Sequence, residues 1–243
     1  MKNNHRSAIE VGKVDPIPIV AVMTVVLSVS LLTSSYGNGQ ALSINVGIIN
    51  YTGNQGHGLS PFENSLSIVW QDNTTGNNEI YLKKSTDGGV TFGNATKLSE
   101  SPGSSESPQI ESEGNSTFVV WQDNTTGNNE IYLKKSTDGG VTFVGRKKLT
   151  NNTGSSESPQ IESEGNSTFV VWQDNTTGNN EIYLRKSANT GFTFGNKKML
   201  SQSPGSSESP QIESEGNSTF VVWQDNTTGN NEIYLKKSTD GGV

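Results

Sequence analysis

The chain has 243 residues, enough for one or two domains, and only 30% of them are hydrophobic. It has no cysteine, which excludes a disulfide framework, a cysteine-ligated zinc site and a thiol nucleophile. Its net charge of −7 argues against a nucleic-acid partner, because phosphate binding needs a basic surface. The apolar residues gather in short β-branched and aromatic runs, which predicts many short strands joined by polar turns.

The first predicted region, residues 1–41, has the parts of an export signal. Basic residues precede an apolar run from Ile17 to Leu32, and small residues around Gly39 and Ala41 could form a cleavage site. The run is slightly short for a membrane helix of about 20 residues. A cleaved signal peptide and a retained N-terminal transmembrane helix therefore both stay open. The basic flank predicts that the following residues are extracellular or in the cell envelope.

N-x-S/T sequons recur beyond the signal, which makes a glycoprotein one interpretation. Turns rich in Asn and Thr also produce sequons by chance and repetition, and modification would require a host with the glycosylation machinery. The sequons are at Asn50, Asn73, Asn94, Asn115, Asn124, Asn151, Asn166, Asn175, Asn217 and Asn226.

Most of the chain is a tandem repeat of 51 residues. Trp70, Trp121, Trp172 and Trp223 each begin the string W-Q-D-N-T-T-G-N-N-E-I-Y-L, and the segment from 108 to 141 recurs letter for letter from 210 to 243. Such a fixed period predicts a repeat architecture. The predicted units are 57–107, 108–158, 159–209 and the incomplete 210–243, preceded by a linker or closing strand at 42–56.

Each unit predicts four strands. In the second unit they lie around Pro108–Glu111, at Thr117–Gln122, at Glu130–Lys135 and at Val141–Leu149, separated by Gly-, Asn- and Ser-rich turns. Four short antiparallel strands in 40 to 50 residues are typical of a propeller blade. The predicted fold is therefore all-β, a β-propeller or partial propeller of four four-stranded blades after the N-terminal apolar helix.

The turn after each third strand carries a motif. It reads S-T-D-G-G-V-T-F in the first two units, has Asn for Asp in the third, and stops early in the fourth. This resembles the Asp-box of the sialidase-like (BNR-repeat) propellers, and the resemblance covers about residues 57–243. The motif residues are Ser85, Asp87, Gly89, Thr91 and Phe92; Ser136, Asp138, Gly140, Thr142 and Phe143; Ser187, Asn189, Gly191, Thr193 and Phe194; and Ser238, Asp240 and Gly242.

The resemblance implies that these boxes are structural and lie on the rim away from a catalytic face. An Asp in such a turn can accept hydrogen bonds from nearby backbone N–H groups, glycine gives the backbone its freedom, and the aromatic residue can pack between strands. No catalytic, cofactor or metal residue is predicted among them.

Sialidase activity is not expected. The enzymes of the family grip a sugar carboxylate with three arginines, a use that suits the bidentate guanidinium, but beyond the signal this chain has only Arg146 and Arg185, at non-equivalent repeat positions. A general glycosidase needs two carboxyl groups in different environments. The recurring candidates are Asp72, Asp123, Asp174 and Asp225, and Glu79, Glu130, Glu181 and Glu232, and near-identical repeats predict the same environment for each.

Two further patterns have ordinary interpretations. The loop D-N-T-T-G-N-N-E is rich in oxygen ligands, but its glycine is not at the sixth position of a calcium-binding EF-hand loop, which favours a plain hairpin. The repeated tryptophans could form a sugar platform, although alternating burial favours packing between blades. The favoured interpretation of the loop and of the tryptophans is therefore structural.

The preferred hypothesis is an exported surface propeller that acts as a non-catalytic binding or adhesion module for a glycan or a protein. A sialidase-superfamily glycoside hydrolase fragment and a structural cell-envelope spacer are the alternatives. Whether the ring closes, with a strand at 44–51 completing the last blade, or remains an open array is left open. An open array would expose blade edges and predicts self-association.

Overall fold

A computed structural model describes residues 57–62 and 65–242, with side chains from Ser65 onward. These residues form only strands and turns, and they contain no helix long and apolar enough to cross a membrane. The predicted signal or anchor at 1–41 and the predicted linker or closing strand at 42–56 lie outside them.

Fifteen strands form four antiparallel sheets, each a simple meander, which confirms the all-β propeller-type fold. The sheets are called blades 1 to 4 in chain order, and blade 4 has three described strands. Blade 1 contains β1 (His57–Phe62), β2 (Ser65–Asp72), β3 (Glu79–Ser85) and β4 (Thr96–Lys97); blade 2 contains β5 (Ser105–Glu113), β6 (Ser116–Asp123), β7 (Glu130–Ser136) and β8 (Lys147–Lys148); blade 3 contains β9 (Ser156–Glu164), β10 (Ser167–Asp174), β11 (Glu181–Ser187) and β12 (Lys198–Met199); blade 4 contains β13 (Ser207–Glu215), β14 (Ser218–Asp225) and β15 (Glu232–Ser238).

The first three strands of the repeat agree with the prediction within a few residues, but the fourth does not. A strand was predicted over Val141–Leu149, whereas β8 contains only Lys147 and Lys148, which pair with Leu133 and Tyr132. The preceding residues fold into the Asp-box turn, whose internal hydrogen bonds replace strand pairing. Arg146, predicted in the fourth strand, lies just before β8.

The first strands of consecutive blades, β1, β5, β9 and β13, pack side by side and form the hub of the array. The cores lie between the blades, as the repeated tryptophans predicted. The core between blades 2 and 3 shows the pattern: Phe118, Ile131 and Leu133 from blade 2 pack against Val170 and Trp172 from blade 3. We call the face that contacts the following blade the trailing face, and the opposite face the leading face.

Polar contacts also join consecutive blades. A β-bulge in the hub strand places Ser158 at φ +52°, and its N–H donates to Gln122 Oε1 of the preceding blade at 2.9 Å. The same contact recurs from Ser107 to Gln71 at 2.8 Å. Blades 2, 3 and 4 are thus each held to the preceding blade by apolar packing and by a hydrogen bond from the hub strand to a glutamine of that blade.

The trailing face of blade 4 is open to solvent. Ile233 and Leu235 are 77% and 59% exposed, whereas their repeat equivalents Ile131 and Leu133 in blade 2 are 0% and 2% exposed. The sequence around these positions is the same in both blades. Within the described residues, blade 2 has an outer strand and a following blade, and blade 4 has neither.

Candidate functional site

The candidate site is an open pocket in the cleft between blades 2 and 3, with a volume of about 300 Å³. We call it the interblade pocket. Blade 2 contributes the last residue of its short outer strand and the four residues that follow, and blade 3 contributes one residue of β11 and one from the turn before β12. The lining residues are Lys148, Leu149, Thr150, Asn151, Asn152, Arg185 and Lys197.

Arg185 is held in the interblade pocket by main-chain carbonyl groups. Its Nη1 donates to the carbonyl oxygen of Leu149 at 2.6 Å, and its Nε donates to that of Gly195 at 2.8 Å. Partial burial lowers the pKa of the guanidinium. The first contact crosses the cleft to blade 2 and the second stays within blade 3. Together they fix the plane of the guanidinium, so the side chain is ordered before any ligand arrives.

The two lysines of the interblade pocket are held less tightly. Lys148 Nζ lies 3.4 Å from Glu130 Oε1 and 3.1 Å from Asn151 Oδ1. Lys197 is exposed, and its Nζ lies 4.4 Å from the centroid of the Tyr183 ring, a cation–π distance. The pocket therefore brings three cationic side chains to one cleft.

Two buried carboxylates lie behind the interblade pocket. Asp174 accepts from Ser156 Oγ at 2.8 Å and also from the side chain of Asn152. Burial opposes ionisation of Asp174, but hydrogen bonds from Thr176 and Ser156 and the charge of Lys197 hold its pKa below the ordinary value. Glu130, 1% exposed, accepts from the Asn152 N–H at 3.0 Å. These carboxylates order the wall and offset part of its positive charge.

A second polar cluster lies at the hub. The inner strands of blades 2, 3 and 4 bring Glu111, Glu162 and Glu213 within electrostatic reach of one another. Burial raises the pKa of Glu111 to about 7. Burial, followed by repulsion from Glu111 and Glu213, raises the pKa of Glu162 to about 9, and burial raises that of Glu213. The hub glutamates are different residues from the repeated aspartates and glutamates that the sequence offers as acid and base candidates.

The Asp-box residues begin at the last residue of each third strand and continue into the turn that follows, and none of them lines the interblade pocket. In blade 2, Ser136 Oγ accepts from the Gly140 N–H at 2.8 Å, and Asp138 accepts from the Thr142 N–H at 2.8 Å. In blade 3, Asn189 Oδ1 accepts from Thr193 N–H at 2.8 Å, and its amide donates to the Thr193 hydroxyl. The structural role of the motif stays a prediction that these contacts support.

The remaining motif side chains follow the same plan. Asp87 accepts from Thr91 in blade 1, and in blade 4 Gly242 N–H donates to Ser238 Oγ at 2.8 Å. Hydrogen bonds from Ser85 and Thr91 lower the pKa of Asp87 to about 2. Phe143 and Phe194 pack against the cores between blades, half-buried.

The two arginines that we weighed for a sialidase site do not share one cleft. Arg146 pairs with Asp123 of its own blade at 3.3 Å and lies over the Tyr132 ring, whereas Arg185 lines the interblade pocket. The residues in the D-N-T-T-G-N-N-E loops form the hairpin turns between second and third strands. In blade 2, Asp123 Oδ1 accepts from the Thr125 N–H of this turn at 2.9 Å.

The structure resembles solved glycosidases of the β-propeller fold. It superimposes on a Penicillium chrysogenum alpha-L-arabinanase complexed with arabinobiose with a TM-score of 0.58 at 14% identity, over 76% of this chain and 62% of the arabinanase. An alpha-L-arabinofuranosidase of Fusarium graminearum with arabinobiose gives a TM-score of 0.57 at 12% identity, again over 76% of this chain and 62% of the enzyme. No family model and no curated protein matches the sequence.

These similarities define the class of the protein as a β-propeller. The chain spans about 62% of the length of the propeller enzymes it resembles. At this level of identity the likeness concerns the fold alone. The assignment to the sialidase-like Asp-box propellers therefore rests on the motif residues and stays a prediction.

Proposed function

We propose that this chain is a non-catalytic glycan-binding module, exported and displayed at the cell surface or in the envelope. The observation that carries the proposal is the interblade pocket, an open cleft lined by amides, cations and a hydroxyl where the otherwise near-identical repeats differ. Sugar sites in proteins need several convergent polar groups on a rigid frame, and the two blades supply such a frame. The signal-like segment at 1–41 supports the location, and the sugar complexes of the similar folds support the ligand class.

The wall of the interblade pocket suits hydroxyl groups. Asn151 is exposed, and Asn152 lies beside it with its side-chain nitrogen bound to Asp174 and Ser156. Side-chain amides combine a donor and an acceptor, which is what vicinal sugar hydroxyls require. The buried Tyr183 ring supports the Lys197 ammonium from below, at a cation–π distance of 4.4 Å.

Glycan binding is tested with the full chain on an array of plant, fungal and bacterial polysaccharides. We expect retention of at least one class of glycan, reduced when Arg185 is replaced by alanine. The matched control is Lys236→Ala, which removes the cation at the equivalent position of blade 4, outside the pocket. Failure of every glycan to bind, with the chain folded by circular dichroism, would contradict the proposal.

A glycoside hydrolase is the second candidate, and the hub carboxyls favour it. A glycosidase needs one protonated carboxyl as acid and one ionised carboxyl close by. The raised pKa of Glu162 keeps that group protonated at neutral pH, while Glu113 and Glu164 lie two residues along the same hub strands. The fold of this chain is also shared with enzymes whose names describe arabinan and arabinofuranoside cleavage.

The two candidates are separated by activity. Incubation of the full chain with arabinan and with synthetic arabinofuranosides should release no reducing sugar if the chain is a binding module. Release that is abolished in Glu162→Gln, with Glu100→Gln as an exposed control, would establish the hydrolase instead. The sialic acid substrate of the sialidase-like family belongs in the same assay, and the separation of Arg146 from Arg185 predicts no turnover of it.

A further inference from the structure

We infer that the interblade pocket recognises the anionic group of an acidic saccharide, a carboxylate or a sulfate ester, through Arg185 with support from Lys148 and Lys197. This inference rests on the proposed glycan-binding function and adds the chemical class of the ligand. The evidence is the arrangement of charge in the cleft and the way it differs from the other two blade junctions.

Arg185 provides the anchor. Within residues 65–242 its hydrogen bonds go to two main-chain carbonyls, of Leu149 and Gly195, and not to a carboxylate. A guanidinium has five N–H donors, so donors beyond these two contacts remain for a ligand. Because the group is partly buried, its charge is incompletely solvated, and an entering anion would offset that cost. Guanidinium and carboxylate or sulfate oxygens match in bidentate geometry.

The other junctions differ from the interblade pocket in the charged side chains at the equivalent positions. Between blades 1 and 2, the positions of Lys148, Arg185 and Lys197 are filled by Lys97, Lys134 and Arg146. That junction also has a carboxylate, Glu100, at the position of Asn151, and Glu100 acts electrostatically on Lys134. Between blades 3 and 4, methionine replaces Lys148, and Lys236 stands at the position of Arg185.

The balance of charge within the interblade pocket also favours an anion. Glu130 offsets Lys148, at 3.4 Å, and Asp174 acts on Lys197, but Arg185 has no such partner among the described side chains. Glu130 and Asp174 are buried, with 1% and 0% exposure, and do not line the pocket, whereas all three cations do. A ligand therefore meets the positive groups first, in a chain whose overall charge is −7.

The test uses the full chain, produced in a host without N-glycosylation so that Asn151 is unmodified. Binding is measured by calorimetry to polygalacturonate and its methyl ester, and to dextran sulfate and dextran. We expect the charged member of at least one pair to bind and its neutral partner not to bind. The first pair reports a carboxylate ligand and the second a sulfate ligand. Affinity should fall as salt is added, because screening weakens contacts between charges.

Three variants locate the effect. Arg185→Ala should weaken binding at least about tenfold, the scale of a lost charged hydrogen bond. Asn151→Glu keeps every cation but supplies the carboxylate that Glu100 supplies at the first junction, and it should weaken binding similarly. Lys236→Ala removes one positive charge elsewhere and should leave the affinity unchanged. Equal melting temperatures show that each variant is folded.

The outcomes separate this inference from the proposed function. Binding of neutral arabinan or dextran as strong as that of the charged polymers, unaffected by Asn151→Glu, overturns the anionic ligand but leaves a glycan-binding module. Binding of charged polymers that falls equally in Arg185→Ala and Lys236→Ala shows general polyanion attraction and also overturns the pocket. Absence of binding to every saccharide overturns both the inference and the proposed function.

Discussion

Replacement of Glu162 by glutamine should stabilise the protein at neutral pH. The substitution keeps the shape of the side chain and removes its ability to ionise. In the folded chain, burial and the neighbouring hub carboxyls raise the pKa of Glu162 from 4.5 to about 9, so the group stays protonated at pH 7. In the unfolded chain it ionises at its ordinary pKa, which favours unfolding.

The magnitude follows from this difference in protonation. At pH 7 the ionisation of Glu162 in the unfolded chain costs the fold at most about 3 kcal/mol. The Glu162 carboxyl is half-buried, and solvent screening reduces the expected increase in the free energy of unfolding of Glu162→Gln to about 1–2 kcal/mol. A folded-state pKa that is raised gives stability that is present below pH 4.5 and lost as the pH rises toward 9. The variant and the parent should therefore have equal free energies of unfolding near pH 4, and the variant should become increasingly more stable than the parent at higher pH.

Urea unfolding followed by circular dichroism at several pH values between 4 and 9 measures the effect. Glu100→Gln, an exposed carboxyl outside the hub, is the control and should leave the pH profile as it is. Glu111, whose pKa is raised to about 7, should contribute a smaller loss of stability between pH 4.5 and 7 in both proteins. Identical unfolding free energies for the parent and Glu162→Gln across this range would refute the hub electrostatics described above.

Three other perturbations test the fold. Asp138→Ala should lower the melting temperature because it removes acceptors within the Asp-box turn. Asp138→Asn should keep the melting temperature of the parent, since blade 3 has asparagine at this position. Loss of glycan binding by Asp138→Ala without a change in melting temperature would instead place the residue in a binding site. Gly191→Ala should lower the free energy of unfolding by about 1–3 kcal/mol, because residue 191 has a positive φ and its new Cβ would lie 2.7 Å from a phenylalanine ring of blade 2. The control Gly165→Ala also has a positive φ but lies in open space, so chemical denaturation should show a smaller loss. The double variant Ile233→Lys with Leu235→Lys should reduce concentration-dependent self-association in light scattering, and an unchanged molar mass distribution would show that the open face of blade 4 is not responsible.

The repeat period and the strand pattern predicted the fold well, because both depend on local residue order. The alternating and β-branched runs of the second and third strands match β6 and β7, and the polar string between them forms the turn. The fourth strand was wrong because Val141 and Phe143 look like strand residues in isolation. In the fold, Asp138 draws the backbone of Thr142 into the turn instead.

The interblade pocket was not predicted, although its residues carried a signal. In the sequence, Arg185 is one of two arginines beyond the signal, too few for a sialidase triad, and Asn151 is part of a sequon. The role of Arg185 and Asn151 depends on which side chains of blade 2 face which side chains of blade 3, and this is set by packing between repeats. Alignment of the repeats shows Asn151 against Glu100, and Arg185 against lysine, among the positions where the copies differ.

The seven residues of β7 and β15 have the same sequence, E-I-Y-L-K-K-S, yet one strand is covered by the next blade and the other is not. Any difference in amide hydrogen exchange between them is therefore free of local propensity and reports the contribution of the following blade together with that of the outer strand β8, which pairs with β7. In a repeat array, stability is approximately the sum of each unit and its contacts with adjacent units. A unit with one neighbour should open before a unit with two. Among the described blades, the array should thus unravel directionally, with β15 exchanging first and the copy in blade 2 among the last.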